Sequence, residues 1–146
     1  MSNLLQNVKI TRCLAYVSGT AVREGAILDM AGYDGVLAIM TCATIASSAV
    51  GDMHWEQDSD SAMGGAADLE GSAIATAADD DDQIFASCLH KPMERYVRCV
   101  VTKNASNAAA ESVLYIQYNG RKAPSVNTVA DLVTAELLVS PDEGTK

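Results

Sequence analysis

Two histidines, four cysteines and a run of four aspartates are the residues here whose types lend themselves to chemistry. His54 and Glu56 flank Trp55 in "HWE", so on a strand they share one face and suggest an acid–base pair. General acid–base work needs two or more groups held in one dry cleft, and a two-residue spacing does not supply that. Both His54 and His90 therefore read as surface or turn histidines. "ADDDDQ", with Asp79 to Asp82, looks like an ion trap, because adjacent carboxylates repel unless they are solvated, paired or bound to a cation. A calcium loop alternates its ligands and puts a glycine at the sharp turn, and this run does neither. A solvated turn is expected, with a weak divalent site helped by Asp58 or Asp60 as the alternative.

Cys13, Cys42, Cys88 and Cys99 contain no CxxC pair. Zinc motifs normally show close ligand pairs, so free thiols are expected, formed in a reducing cytoplasm. Cys42, Cys88 and Cys99 lie in apolar runs, where cysteine behaves as a small buried hydrophobe. No serine sits in a nucleophile elbow, no paired-carboxylate motif occurs, and there is no GxGxxG or Walker loop. The expectation is a protein that is not an enzyme, with no catalytic, cofactor-binding or metal-binding residues and no cofactor.

One further stretch stands apart. "HKPMERYVRCVVT" gathers His90, Lys91, Arg95 and Arg98 in a chain with 19 acidic and 10 basic residues. Arginines at the start of a strand most often pair with carboxylates, so Arg95 and Arg98 are expected to brace acidic loops; a bound anion or a partner's carboxylate is the alternative. The net charge of −9 argues against nucleic acid, whose phosphates are held by neutralising lysines and arginines. It also resists anionic membranes. No stretch approaches the ~20 apolar residues of a membrane span, and "MSNLLQNVKITRC" is not read as a secretory signal.

The elements that must position these residues read as strands. At 146 residues the chain fits one domain with a real core. Small and β-branched residues replace aromatics, which favours thinly packed strands. "VLAIMTCATI" (Val36 to Ile45) is a buried strand, bounded by Gly35 and the Ser47–Ser48 pair. In "DMHWEQDSD", Met53, Trp55 and Gln57 share one face and His54, Glu56 and Asp58 the other, with Trp55 inward. "QIFASCLH", "ERYVRCVVT" and "SVLYIQYNG" add three strands, and the Ala-rich segment before Asp79 holds one short extended piece at most. These elements predict an all-β, antiparallel β-sandwich or jelly-roll-like single domain over residues 13–125. Residues 1–12 form an N-terminal arm or edge strand. Residues 126–146, where Val126, Val129, Ala130, Val133 and Leu137 fall at helical spacing, form a C-terminal arm or short helix.

The order of these pieces resembles a family of small virion proteins from tailed bacteriophages and prophages. The motifs are Gly32–Tyr33–Asp34, then Trp55–Glu56–Gln57–Asp58–Ser59–Asp60, then Asp68–Leu69–Glu70–Gly71. Glu94–Arg95–Tyr96–Val97–Arg98 and Arg121–Lys122–Ala123–Pro124 complete the series, which spans roughly residues 25 to 124. Glu94 replaces the family's usual basic residue, an Ala-rich stretch fills the acidic loop, and the C-terminal extension is unusually apolar. The resemblance implies a head decoration (cement) or minor capsid protein, located on the virion surface and assembled in the host cytoplasm. Its partners would be the major capsid protein and further copies of itself, a homotrimer being the expected form.

Such a protein needs a rigid sandwich and sticky arms rather than a reaction centre, since several copies engaging together multiply a modest contact. Leu4, Leu5, Leu137 and Leu138 are the partner-binding residues expected on this logic. The competing reading is a carbohydrate- or host-surface-binding jelly-roll module on the head or tail. Sugar recognition uses exposed aromatics, and most of those here fall at core-facing positions.

Overall fold

Alternation of large apolar and polar residues sets the strands, and the alternation holds in three dimensions. A computed structural model describes residues 3–45, 51–77, 79–103, 109–127, 130–132, 134–140 and 143. After a single helical turn at Leu4–Asn7, capped by the Asn3 side chain, the chain is nearly all β. β1 is Lys9–Gly19, β2 Arg23–Glu24, β3 Leu28–Asp29, β4 Gly35–Cys42 and β5 Gly51–Asp58. β6 is Ala67–Asp68, β7 Ile74–Thr76, β8 Ile84–His90, β9 Tyr96–Lys103 and β10 Ala109–Tyr118. The expected all-β sandwich is what forms.

Two antiparallel sheets pack face to face. One has four strands in the order β1-β10-β4-β8. The other runs β2-β9-β5-β6, with β3 also on β9 and β7 also on β5. Successive long strands alternate between the layers: β4 to β5, β8 to β9 and β9 to β10 each change sheet. The Ala-rich connection holds two short strands, β6 and β7, where the sequence suggested one extended piece at most; both dock on β5. β1 is an edge strand with two irregularities in its register against β10, and it runs across the expected boundary at residue 13.

The core lies between the sheets. Val36, Ala38 and Met40 of β4 and Val113 and Tyr115 of β10 face Met53 and Trp55 of β5 and Val97, Cys99 and Val101 of β9. Polar links cross the gap. Trp55 Nε1 donates to Ser87 Oγ at 2.9 Å, and the Trp55 and Tyr115 rings stack with centroids 5.8 Å apart. The Cys99 amide donates to Tyr115 Oη at 2.7 Å, and Gln117 Nε2 donates to the Asp29 carbonyl at 3.0 Å. These satisfy buried polar atoms that would otherwise weaken the core.

At one end of the gap Glu111 Oε1 accepts from Arg23 Nη1 at 2.7 Å, and Glu111 Oε2 forms an ion pair with Lys103 Nζ at 2.6 Å. The Lys103 and Glu111 side chains are each 1% exposed, so a desolvated ion pair ties β9 to β10. Gly25 allows another close approach. A Cβ there would lie 2.6 Å from the Cys99 carbonyl oxygen and 2.8 Å from Tyr115 Oη.

Candidate functional site

The two outer faces of the sandwich differ in chemistry. On β10, Glu111, Val113, Tyr115 and Gln117 point inward and are buried, so Ser112, Leu114 and Ile116 point out. On β4 the outward set is Leu37, Ile39 and Thr41. Register places Leu114 opposite Ile39 and Ile116 opposite Leu37. Ile10 of β1 lies opposite Ile116, while Ala86 and Cys88 of β8 lie opposite Ile39 and Leu37, and exposed Ile84 lies opposite Thr41. Apolar side chains thus run across all four strands on the side away from the core. Isolated surface leucines need no explanation, but a contiguous apolar patch marks an interaction surface.

The segments that flank the sandwich approach the same sheet. The Ser125 amide donates to the Gln6 carbonyl at 2.8 Å, and the Ile10 amide to Asn127 Oδ1 at 2.6 Å, so the C-terminal segment starts beside the N-terminal one. Asp131 and Leu132 border a groove of about 440 Å³ with Ile10, Arg12, Ser112 and Leu114 of that outer face. Of the leucines expected to bind a partner, Leu4, Leu137 and Leu138 are 73%, 60% and 64% exposed, and Leu5 is half-buried. The described residues beyond Val126 contain neither helix nor strand; Val129, Val133, Pro141 and the Ser47–Ser48 pair lie outside the described residues.

The opposite face, on β5 and β9, carries charges in register. Glu56 stands opposite Arg98, His54 opposite Val100 and Asp52 opposite Thr102. Arg98 donates to Glu56 at 2.5 Å and to Glu24 at 2.7 Å. Arg95 grips Asp29 with two bonds, Nε to Oδ1 at 2.9 Å and Nη2 to Oδ2 at 2.8 Å. Those bonds pull the Asp29 carboxyl down to about pH 2. The arginines are framework, as expected. An open depression of about 530 Å³ lies beside Lys91, Arg95 and Arg121, but Asp34 and Glu94 share its walls and Arg95 is already held.

The other sequence candidates resolve as follows. The aspartate run is a turn whose carboxylates take backbone amides: Asp80 Oδ2 accepts from Ala77 at 2.7 Å and Asp81 Oδ1 from Ile45 at 2.6 Å. The four thiols are free. Cys88, expected inside, is exposed, because β8 is an edge strand and Cys88 falls on its outward side. Its sulfur lies 3.2 Å from Tyr118 Oη, which also lies 3.2 Å from His90 Nδ1. This thiol neighbour and burial hold the phenol up at about 12.

His54, read as a surface or turn residue, is largely covered on β5, with Nδ1 2.6 Å from Asp52 Oδ1 and Nε2 3.4 Å from Asp68 Oδ1. Among the described residues, His54, Glu56 and Asp68 offer ligand atoms all within 4.8 Å of one another. Asp68 was invisible to sequence reasoning as a partner of "HWE". Only the pairing of β6 with β5, which sets Asp68 opposite Glu56, brings it there.

No family model matches the sequence, and no curated protein does. In fold, the chain is similar to the PBSX exported protein XepA, with a TM-score of 0.57 at 15% identity. The match takes in 98% of this chain and 46% of XepA, so the chain spans less than half of that protein.

Proposed function

We propose that the chain is a structural protein of a tailed phage or prophage that acts by docking. In its specific form it is a capsid decoration or cement protein that binds the outer capsid surface and stabilises joints between major capsid subunits. The observation that carries this reading is the apolar outer face of the four-stranded sheet, where Ile10, Leu37, Ile39, Leu114 and Ile116 adjoin across strands. An antiparallel sheet with one face on the core ordinarily shows water a polar alternate set. Here that set is mostly apolar, with the Thr41–Ser112 pair polar on β4 and β10, and the arms expose Leu4, Leu137 and Leu138. Trp55 and Tyr115 are buried while Tyr16 is exposed on the edge strand β1, and the apolar sheet face favours the docking reading over the carbohydrate module.

The partners under this proposal are the major capsid protein and two further copies of the chain, on the virion surface. Light scattering coupled to sizing chromatography should report a trimer, and the protein should bind particles that lack it and raise their heat resistance. Ile39→Asp, at the middle of the apolar face, should abolish both. A clean monomer at high concentration that ignores such particles would sink the proposal. The likeness to an exported phage protein favours a second reading, a phage product that acts away from the particle. Recovery from the culture medium and absence from purified particles would select it.

A further inference from the structure

We infer that His54, Glu56 and Asp68 bind a zinc-class divalent cation that clips β6 onto β5. The argument starts with the imidazole. Asp52 Oδ1 lies 2.6 Å from His54 Nδ1, and Asp52 Oδ2 accepts from Thr102 Oγ1 at 2.6 Å, so the carboxylate is itself held in place. A carboxylate at Nδ1 fixes the tautomer that leaves the Nε2 lone pair free, an arrangement metal-bound histidines use. That nitrogen faces Asp68 Oδ1 at 3.4 Å, longer than an ordinary N–H···O bond. Ligand atoms about 2.0–2.1 Å from a tetrahedral zinc stand about 3.3 Å from each other, so the spacing fits two ligands sharing an ion.

Charge points the same way. Four carboxylates, Asp52, Glu56, Asp68 and Glu24, gather at this end of the face against one guanidinium, that of Arg98, which Glu56 and Glu24 already share. A divalent ion offsets the excess. The donor set of one imidazole and two carboxylates favours zinc and its first-row neighbours over magnesium or calcium, which take oxygen ligands. Asp68 is 74% exposed, so the fourth position opens to water.

The test is calorimetric titration of the full chain with zinc chloride, and with magnesium chloride in parallel, alongside thermal melts. Zinc should bind one-to-one and raise the melting temperature, while magnesium should do neither at the same concentration. Asp68→Asn, on a side chain 74% exposed, should weaken zinc by about tenfold or more, and Asp52→Asn by about 10–100-fold. Cys88→Ser should leave binding unchanged. Absence of saturable zinc binding, unaltered affinity in Asp68→Asn, or loss of binding in Cys88→Ser would each overturn the inference, the last by moving the ion to the thiol beside His90.

Discussion

The two outer faces of this sandwich are built on the same pleat yet present opposite surfaces. Outward positions on β5 and β9 are Asp52, His54, Glu56, Arg98, Val100 and Thr102; Val100, opposite His54, is covered, and the others meet a polar partner or a neighbouring charge. Outward positions on β4 and β10 are Leu37, Ile39, Leu114 and Ile116, matched to one another, with the Thr41–Ser112 hydroxyl pair at one end. The polar face pairs most of its own groups, and the cluster of His54, Glu56 and Asp68 keeps an excess of carboxylate. The apolar face is half-covered by mutual contact, and more burial would stabilise it, at roughly 25 cal/mol for each Å² removed from water. The contrast teaches where to look for a partner: on the sheet whose outer side has unspent hydrophobic surface.

Four perturbations would break or sharpen this contrast. The largest effect is expected where the two layers are tied together, because both faces depend on rigid sheets behind them. Glu111→Ala removes the carboxylate that Lys103 and Arg23 face between the sheets, and should destabilise the fold by about 3–5 kcal/mol in urea unfolding. A loss below about 1 kcal/mol would mean that water reaches that end of the gap. Next comes the polar face. Arg98→Ala leaves Glu24 and Glu56 facing each other and should cost about 1–3 kcal/mol by the same measurement, with no change in association state.

On the apolar side, Cys88 is a built-in reporter, since it is exposed and stands opposite Leu37. Alkylation at pH 8 should modify Cys88 first. Cys42 should lag far behind, because burial, followed by the nearby Glu111 carboxylate, raises its thiol to about 11. Protection of Cys88 at high protein concentration or on particles would mark the face as covered; unchanged labelling would place the contact elsewhere.

The smallest effect concerns the exposed Arg95–Asp29 pair. Asp29 titrates near 2 in the folded protein against about 3.9 when unfolded, so its contribution is full above about pH 4 and is lost as pH falls toward 2. Asp29→Asn should remove that contribution, lowering stability slightly above about pH 4, pH 7 included, with the gap to the parent protein closing as pH falls toward 2; the loss stays small because exposed pairs are well screened. A clear loss at neutral pH would show the pair to be structural rather than peripheral.

Several parts of this structure were legible in the residues. The alternation around Trp55 told which side of β5 faces the core, and the β-branched runs located β4, β8, β9 and β10. Arg95 and Arg98 read as braces, and they are. Cys88 misled because an apolar run does not say which strand ends at an edge. The apolar outer face escaped for a related reason: continuous hydrophobicity in "VLAIM" looks the same whether the second face meets another layer or water.

By itself, the sequence determined the period-two pattern, hence strands, and the acidity that sets the surface charge. Both are sums over local residues and need no knowledge of neighbours. Only the tertiary structure decided which strands lie side by side, because the chain changes layer at nearly every long connection and most of the long pairings join distant segments. That choice lined up Leu114 with Ile39 across the chain, while the turn of β6 back onto β5 put Asp68 beside Glu56 and His54, and the packing of the two layers closed Lys103 onto Glu111. Strand periodicity fixes which way a side chain points; register across the sheet fixes what it meets.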